Sequence, residues 1–381
     1  MGLLTGTLPD FPWDTLVPYA ERARAHERGV VDLSVGTPVD PTPTVVRDAL
    51  AGAADSPGYP LTHGTPALRE AVVRWFARRR GVPGLDPAAV LPTVGSKELV
   101  ALLPSLLSLG DGDVVLHPAA AYPTYDVGAR LAGATPEPTS DPVARLAQGG
   151  VRLVWLNSPG NPDGRVLGVD ELRAVVDAAR AAAEREGEPV VVASDECYAE
   201  LAWDEPWASS GVPSVLDPRV TGGDLTGLLA VYSLSKQSNL AGYRAAFAAG
   251  DPELVARLLE TRKHAGMIVP GPVQAAIEAA LADDAHVGEQ RERYRRRREV
   301  LRAAFEGAGY KVDGSHAGLY LWVRPEHGAQ DCWVTVADLA ELGILVAPGE
   351  FYGAQAAGHV RVALTATDAK VAEAAARLTG A

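Results

Sequence analysis

The chain has 381 residues, of which 47% are hydrophobic and 22% charged, and its mean hydropathy is +0.01. These values are typical of a soluble globular protein, and the length exceeds the size at which one hydrophobic core keeps growing. Asp and Glu outnumber Lys and Arg by 48 to 35, which gives a net charge of −13. Such a charge argues against a general binder of nucleic acid or anionic membranes, so any anion must be met by locally placed donors.

Cysteine usage and hydropathy indicate the compartment. Cys197 and Cys332 are the only cysteines and lie far apart in the chain. This fits a reducing compartment and excludes a disulfide scaffold or a CxxC metal site, so we predict no metal. Because no apolar run follows an N-terminal basic region and no 18 apolar residues are consecutive, we expect no signal peptide or membrane span. We therefore predict a cytoplasmic protein.

The first hundred residues combine an arm, a strand and a helix. Residues 1–30 begin with the Pro-rich LPDFPWDTLVPY and then become helical, which indicates an arm that packs on something other than its own core. VDLSVGTPVDPTP predicts a short strand that ends in a Gly-Pro turn. TPALREAVVRWFARRRG predicts an amphipathic helix closed by Gly81.

Strands and helices then alternate along the chain. The successive segments are VLPTVGSKELVALLPSLL, DVVLHPAAAYPTY, VRLVWLNSPGNP, ELRAVVDAARAAAERE, PVVVASDECY and LLAVYSLS, while ATPEPTSDPVARLAQGG is expected to be a polar connection. Short β-branched runs between helices predict an α/β fold with a mostly parallel sheet covered on both faces. Active groups should then gather at the carboxyl ends of the strands.

After residue 270 the pattern changes to a small α+β domain that ends in a helix. A long helix containing QRERYRRRREVLRAAF precedes YKVDGSHAGLYLWVR, GILVAPG and HVRVALTA. The basic run 291–298 is interleaved with Glu and is interpreted as a solvated helix face. We predict an N-terminal arm and part of the small domain over 1–40, a large domain over 41–271 and a small C-terminal domain over 272–381.

Two polar clusters follow the first predicted strands of the large domain. VLPTVGSKEL places Gly95, Ser96 and Lys97 where a helix begins, so backbone N–H groups and a hydroxyl there can bind a phosphate. A plain helix N-cap explains the same residues. The next strand ends in AYPTY, where Tyr122 offers a flat surface for an aromatic ring or is a core tyrosine.

The next two strands end in amides and carboxylates. Asn157 and Asn161 bracket a proline turn in NSPGNPDG, although turn chemistry alone explains Asn161 before Pro162. Asp195 follows directly after an apolar run, together with Glu196, and a carboxylate so deeply buried needs a cation or a strong donor. The protonated nitrogen of a pyridine ring would be such a partner.

The segment SLSKQSNLAGYR completes the set. Lys236 lies where a strand opens onto small hydroxyls, and it is either a solvated loop lysine or a Schiff-base lysine. Ser233, Ser235 and Arg244 surround it as candidate phosphate ligands. Phosphate donors, a stacking aromatic, a buried acid, Tyr198 as a donor to a phenolate oxygen and one lysine together predict a pyridoxal 5′-phosphate (PLP) site.

The order of these motifs resembles that of the class I/II aminotransferases of the fold-type I PLP family, over essentially the whole chain. The motifs are SVGTP, GYPLTHGTPALREA, GSKE, YPTY, NSPGNPDG, SDECYAEL, SLSKQSNLAGYR and HVRVALTA. The run from LPDFPWDTLVPYAERARAH to GYPLTHGTPALREA is also similar to the actinobacterial N-succinyldiaminopimelate aminotransferases. The resemblance implies a large domain with a mostly parallel mixed sheet flanked by helices, plus a smaller α+β domain.

The resemblance implies roles for the cofactor residues. Lys236 would form the Schiff base and shuttle the substrate proton, Asp195 would hold the pyridine nitrogen protonated, and Tyr122 would stack on the ring; these three are the predicted catalytic residues. Asn161 and Tyr198 would bind the ring hydroxyl. The phosphate would be bound at the Gly95 turn by the following groups: the amides of Ser96 and Lys97, the hydroxyls of Ser233 and Ser235, and the guanidinium of Arg244.

The resemblance also implies a substrate site and a homodimer with shared active sites. Arg361 in HVRVAL would bind the substrate α-carboxylate bidentately, the alternative being a strand-edge arginine paired to a surface Glu. Gly36 would let the backbone approach that carboxylate, with Asn157 and Asn161 as further substrate contacts. Tyr59 resembles the tyrosine that reaches the phosphate of the neighbouring subunit.

The predicted activity is transamination between N-succinyl-LL-2,6-diaminopimelate and 2-oxoglutarate, with glutamate as amino donor in the biosynthetic direction of lysine and diaminopimelate synthesis. Asn157 and Arg165 are the nearest candidates in sequence for anchoring a distal carboxylate. Alternatives are an aminotransferase for aspartate, alanine, LL-diaminopimelate or acetylornithine, and a carbon–sulfur β-lyase of the same fold. A non-enzymatic regulator with an aminotransferase-like domain is disfavoured because only about 30 residues precede the first strand and the net charge is −13.

Overall fold

The computed structural model describes residues 8–9, 11–328 and 331–380. A seven-stranded sheet lies at the centre of its larger part. In chain order its strands are β2 (Val90–Val94), β3 (Val114–Pro118), β4 (Thr135–Thr139), β5 (Val151–Asn157), β6 (Val191–Asp195), β7 (Leu228–Ser233) and β8 (Ala245–Gly250). The spatial order is β2-β8-β7-β6-β5-β3-β4, and β8 runs antiparallel to both of its neighbours. The sheet is therefore mixed but mostly parallel, as predicted.

Helices cover both faces of this sheet and complete the chain. They are α1 (Val17–Ala25), α2 (Thr44–Gly52), α3 (Pro66–Arg79), α4 (Ser96–Leu106), α5 (Thr124–Ala132), α6 (Pro142–Leu146), α7 (Val169–Glu186), α8 (Trp207–Ser210), α9 (Pro218–Thr221), α10 (Leu234–Gln237), α11 (Pro252–Ala265), α12 (Gly271–Ala282), α13 (Ala285–Gly307), α14 (Cys332–Glu341) and α15 (Asp368–Thr379). Within the described ranges, none of these helices combines the length and apolarity needed to cross a membrane.

A second sheet forms the smaller part. Its strands are β9 (Tyr310–Asp313), β10 (Tyr320–Pro325), β12 (Ala347–Pro348) and β13 (Val360–Ala363), in the antiparallel order β12-β13-β10-β9. Beside it, β1 (Val31–Asp32) pairs in parallel with β11 (Ile344–Leu345). The N-terminal strand thus belongs with the C-terminal sheet, and the α/β fold with a smaller α+β part matches the prediction.

Three apolar cores hold these layers together. Alternate residues of β5 point to opposite faces of the large sheet, so Val154 belongs to one core while Leu153 and Trp155 belong to another. A third core lies between the second sheet, α1, α13, α14 and α15. Because both faces of the large sheet are covered, its central strands β5, β6, β7 and β8 are mostly continuous apolar runs rather than alternating ones.

Strand β4 contradicts the predicted polar connection at ATPEPTSDPVARLAQGG. The segment TPEPT pairs in parallel with β3, with Pro136 opposite Val115 and Pro138 opposite His117. Two prolines are tolerated because β4 is the edge strand, where one side of the backbone needs no hydrogen-bond partners from the sheet. The proline content of this segment is typical of a loop, and the segment can form a strand because it lies at the edge of the sheet.

The helical part of the N-terminal arm packs on the protein's own core. Leu16, Ala20 and Ala23 are buried in the core of the smaller part, and α1 lies against α14. The prediction that the arm packs on something other than its own core is therefore wrong for α1. Phe11, just before it, remains 59% exposed.

The basic run in α13 is only partly a solvated face. Arg295 is exposed and pairs with glutamates on its own helix, as predicted. Arg297 and Arg298 are buried, however, and bind Asp40 (2.6 Å) and Asp204 (3.2 Å) respectively. The prediction of a solvated face is therefore wrong for these two arginines, which tie α13 to distant segments of the chain.

Helix α12 bears on the predicted domain boundary between residues 271 and 272. It packs against α2 and α3 and places Ile277 and Ala280 in the same core as Trp75 of α3. This packing favours a boundary after α12. The division into 1–40, 41–271 and 272–381 stays a prediction.

Candidate active site

A cavity of about 520 Å³ opens at the edge of the large sheet where β2, β3, β5, β6 and β7 all end. Segments after β1 and residues of β10 and β13 close it from the side of the second sheet. Thirteen of the fifteen predicted site residues line this cavity. They are Gly36, Ser96, Lys97, Tyr122, Asn157, Asn161, Asp195, Tyr198, Ser233, Ser235, Lys236, Arg244 and Arg361.

Lys236 projects into the cavity from α10, a single turn directly after β7. The Ser233 hydroxyl caps this turn by accepting from the amide of Ser235 (3.2 Å). The Lys236 amine donates to the backbone carbonyl of Gly36. Burial, with smaller contributions from the charges of Arg361 and Arg244, lowers the pKa of the amine. A lowered pKa favours the neutral form of the amine, which is the form that acts as a nucleophile.

Asp195 lies at the end of β6 with its carboxylate buried against the cavity. One carboxylate oxygen accepts from the Tyr125 hydroxyl (3.0 Å) and the other from the amide of Cys197 (3.2 Å). Burial raises the pKa of Asp195, while the bonds from Cys197 and Tyr125 oppose this shift. Within the described residues Asp195 makes no ion pair, so a cationic N–H donor placed in the cavity would complete its coordination.

Glu196, the next residue, has a different environment. Its side chain is 2% exposed and accepts from Arg80 (2.8 Å), the Ser214 hydroxyl (3.1 Å) and the amide of Val215 (2.8 Å). The fixed partner makes Glu196 part of a buried ion pair that supports the loop behind the cavity. The two adjacent acids therefore divide into one that faces the site and one that stabilises the fold.

A polar corner, called here the phosphate corner because the resemblance implies that the cofactor phosphate binds there, forms where α4 begins. Gly95 has a φ of 78° and caps α4, and its amide donates to the carbonyl of Arg244 (2.8 Å). The backbone conformation of Gly95 favours glycine, and a Cβ there would also overlap the Arg244 guanidinium and displace it. The hydroxyls of Ser233 and Ser235 bond to each other (2.8 Å) and line the same cavity. Gly95 itself lies beside the cavity rather than in its lining.

Arg361 extends from β13 and is 3% exposed. It donates to the side-chain oxygen of Asn161 (3.0 Å) and to the carbonyl of Ser34 (2.7 Å). Its guanidinium lies 3.9 Å from the ring centre of Tyr320 and 5.0 Å from that of Tyr352. The guanidinium is thus fixed in orientation without a carboxylate partner in the described chain, and a substrate carboxylate would supply one.

Asn157 and Arg165, the two candidate anchors for a distal carboxylate, have different surroundings: Asn157 lines the cavity and Arg165 does not. The Asn157 amide donates to the carbonyls of Asp195 (3.0 Å) and Pro159 (3.2 Å), and its oxygen accepts from the amide of Asn161 (2.7 Å). These bonds use both of its hydrogens to hold the turn, and its substrate contact stays a prediction. Arg165 pairs with Glu171 (2.5 Å) at an exposed position outside the cavity lining, so it does not anchor a ligand there.

Three further predicted residues are Tyr122, Lys97 and Tyr59. Tyr122 lines the cavity, and the Lys97 amine lies 5.7 Å from its ring centre. Tyr59 lies outside the cavity lining and is 99% exposed. Its contact with the neighbouring subunit of a homodimer stays a prediction.

Several residues of the site were missed from sequence. Tyr125 bonds to Asp195, Tyr320 contacts Arg361, and Phe11 and Trp13 bring the N-terminal segment to the cavity. Tyr125 is the second tyrosine of YPTY, and its three-residue spacing from Tyr122 at the start of a helix was the available signal. No local signal marks Tyr320, Phe11 or Trp13.

The cavity is electropositive although the chain is acidic. Its lining carries four basic side chains, Lys97, Lys236, Arg244 and Arg361, against a single carboxylate, Asp195. In a site of low dielectric such an excess favours anionic ligands. The arrangement suits a molecule that carries a phosphate together with a substrate that carries at least one carboxylate.

These features fit PLP. Its phosphate matches the corner formed by Arg244 and the start of α4, its pyridinium N–H matches the uncompensated carboxylate of Asp195, and its aldehyde matches the Lys236 amine. The fold and the site together define a PLP-dependent enzyme of fold type I. When bound, PLP supplies the electron sink for deprotonation of an amino acid.

Comparison with known proteins gives the family. The model described as "Aminotransferase class I and II" matches residues 28–378, and the chain belongs to that family. A 4-dedimethylamino-4-oxo-anhydrotetracycline transaminase from Streptomyces rimosus is 56% identical over 98% of this chain and 99% of its own length. A probable aminotransferase from Mycobacterium tuberculosis is 57% identical over 99% of this chain and 87% of its own length.

A solved structure extends the comparison. The probable N-succinyldiaminopimelate aminotransferase from Thermus thermophilus has a TM-score of 0.82 and is 29% identical, with 97% of this chain and 100% of that chain covered. The protein is therefore a PLP-dependent aminotransferase that acts on amino and keto acids.

Proposed function

We propose that the protein transfers the amino group of glutamate to N-succinyl-2-amino-6-oxopimelate, a long keto acid with carboxylates at more than one position. The observation that carries this proposal is the excess of positive charge in the cavity, which exceeds what the cofactor and one α-carboxylate require. The likeness to the Thermus thermophilus structure supports the same substrate class.

The basic residues divide by role. Arg244 lies at the phosphate corner, Lys236 is the Schiff-base residue, and Arg361 meets the α-carboxylate. Lys97 is the one basic residue of the lining without a role so far. It is exposed, and it makes no ion pair with any carboxylate in the described ranges. We infer that Lys97 binds the distal carboxylate of the substrate, the role for which sequence suggested Asn157 or Arg165.

The proton transfer falls to Lys236. Its amine is directed by the Gly36 carbonyl, and burial lowers its pKa, which favours the neutral form that can accept a proton from the substrate α-carbon. Asn161 holds one side of the Arg361 guanidinium, so the carboxylate and the α-carbon are positioned together. A cavity of about 520 Å³ lies within the roughly 300–1,000 Å³ of typical ligand pockets, which leaves room for a long acceptor.

The test is a single-turnover comparison of acceptors. The holoenzyme is converted to its amino form with glutamate and mixed separately with N-succinyl-2-amino-6-oxopimelate, pyruvate, oxaloacetate and acetylglutamate semialdehyde. Return of the visible absorbance of the starting enzyme reports transfer. We expect the first acceptor to react at least about tenfold faster than the others; a faster reaction with another acceptor contradicts the substrate proposal and leaves the aminotransferase intact.

Replacement of Lys97 by Ala tests the distal anchor. Loss of one hydrogen-bonded charge pair costs about 1.5–3 kcal/mol, so KM for glutamate should rise on the order of tenfold or more. KM for alanine, which has no distal carboxylate, should stay within about twofold. The matched control is Lys263→Ala, because Lys263 is a surface lysine paired with Glu260. An equal loss for glutamate and alanine would show that Lys97 does not distinguish them.

A second candidate acceptor is a polycyclic aromatic ketone. The Streptomyces rimosus relative, named for an anhydrotetracycline substrate, is 56% identical over nearly the whole chain, and Phe11 and Trp13 place two aromatic rings on the cavity wall. Such a ketone lacks a distal aliphatic carboxylate, so Lys97→Ala should leave its rate nearly unchanged. Adding an anhydrotetracycline 4-ketone to the acceptor panel separates the two candidates.

A further inference from the structure

Tyr320 is a buried tyrosine of the site to which sequence gave no role. It lies in β10 of the second sheet, is 4% exposed, and lines the cavity. Its hydroxyl is 3.3 Å from the hydroxyl of Tyr198. It therefore joins the smaller part of the protein to a residue of the cofactor site on the larger part.

The two faces of Tyr320 make different contacts. Its ring packs on the Arg361 guanidinium at 3.9 Å, and its hydroxyl end lies against Gly36 so closely that a Cβ there would overlap it. This explains why position 36 is glycine. The carbonyl of Gly36 also accepts a hydrogen bond from the Lys236 amine. The Tyr320 hydroxyl therefore lies close to the groups that orient the Lys236 amine and the Arg361 guanidinium.

The direction of the Tyr198–Tyr320 bond follows from proton count. A tyrosine hydroxyl has one proton, so if Tyr198 donates to the cofactor ring oxygen, Tyr320 must be the donor to Tyr198. The electrostatics agree: burial alone would raise the pKa of Tyr320, but the opposing contributions, of which the charge of Arg361 is the largest, lower that pKa. A more acidic phenol is a stronger donor, and bonds in such a chain reinforce one another.

We propose that Tyr320 is a positioning residue that donates its hydroxyl proton to Tyr198 and thereby strengthens the hydrogen bond from Tyr198 to the phenolic oxygen of bound PLP. The proposal rests on the predicted contact of Tyr198 with the cofactor and is independent of which keto acid is the acceptor. A donor to the phenolic oxygen stabilises its anionic form, so Tyr320 should favour deprotonation of the bound cofactor.

The experiment is a visible-absorbance titration of the holoenzyme with pH, comparing wild type with Tyr320→Phe. Phenylalanine keeps the ring on Arg361 and removes only the hydroxyl. We expect the midpoint to rise by roughly 0.4 to 1 pH unit, the equivalent of one lost hydrogen bond. Tyr352→Phe is the matched control, because Tyr352 also packs on Arg361 but its buried hydroxyl has no partner in the described chain. Its midpoint should equal that of the wild type.

A double-mutant cycle with Tyr198→Phe provides the second measurement. If Tyr320 acts through Tyr198, removal of its hydroxyl should have little further effect on the midpoint once Tyr198 has lost its own. Thermal unfolding of the apo forms checks that each variant folds. An unchanged or lowered midpoint in Tyr320→Phe, or shifts that simply add in the double variant, would overturn the proposal.

Discussion

The Tyr125 hydroxyl is one of the protein groups that hydrogen-bond to the carboxylate of Asp195 and support its charge. It donates at 3.0 Å to one carboxylate oxygen in a fully buried environment. A hydrogen bond to a charged group contributes roughly 1.5–3 kcal/mol, and about 1.4 kcal/mol corresponds to a factor of ten in affinity. Replacing Tyr125 by Phe should therefore weaken PLP binding on the order of 10- to 100-fold.

The pH dependence of this loss has a defined sign. Burial already raises the pKa of Asp195, and the Tyr125 bond opposes that shift by favouring the charged form. Without the bond the pKa rises further, so the carboxylate is lost at a higher pH. PLP affinity of Tyr125→Phe should accordingly begin to fall at a higher pH than that of the wild type, as the solution is made more acidic.

The assay is equilibrium binding of PLP to apoenzyme between neutral and acidic pH, followed by absorbance. Tyr122→Phe is the control, since its ring lies 6.4 Å from that of Tyr125 and it makes no bond to Asp195. The control should keep near wild-type affinity because the ring is retained. Equal affinities for Tyr125→Phe and Tyr122→Phe at every pH would refute the role assigned to Tyr125.

Two further substitutions probe the phosphate corner and the support behind it. Gly95→Ala places a methyl group against the Arg244 guanidinium and should lower PLP affinity about tenfold or more. Gly211→Ala, at the same φ of 78° and a similar ψ (160° against 156°) but with open space around it, separates backbone strain from this overlap in the same binding assay. Glu196→Gln leaves Arg80 buried without its charge partner and should cost about 3–5 kcal/mol, seen as a lower Tm; an unchanged Tm would show that the pair is not stabilising.

The sequence was informative about the location of those site residues that lie at or just after the end of a strand. Each of the strands ending at the cavity is followed at once by its polar residues, so Asn157, Asp195 and Lys236 could be assigned to one sheet edge from the sequence pattern alone. The assignment is possible because a parallel arrangement brings the carboxyl ends of successive strands together. The roles of these residues remain predictions for the experiments above.

Contacts between residues far apart in the chain were not accessible in this way. Tyr125 meets Asp195 from 70 residues away, and Tyr320 meets Tyr198 from 122 residues away, with no spacing pattern linking either pair. The pairing of Glu196 with Arg80, 116 residues earlier, was equally hidden. Asp195 and Glu196 look alike in sequence, and only these tertiary partners distinguish the acid of the site from the acid of the scaffold.

Predictions based on local composition were wrong where the position of a segment in the fold outweighs its intrinsic structural preference. The segment TPEPT has the prolines of a loop but pairs as the edge strand β4. Arg297 has the sequence context of a solvated helix face, yet it is buried and pairs with Asp40, which lies 257 residues earlier in the chain. Both errors concern placement of an element relative to its neighbours, which local sequence does not contain.

The central claim is that Lys236 is the residue that binds the cofactor covalently, and the cavity offers a direct alternative in Lys97. Reduction of the holoenzyme with borohydride converts a Schiff base to a stable secondary amine, and proteolysis with mass spectrometry then locates the added mass. We expect the label on the peptide that contains Lys236 and none on the peptide that contains Lys97. Label on Lys97, or no label on either lysine, would contradict the claim.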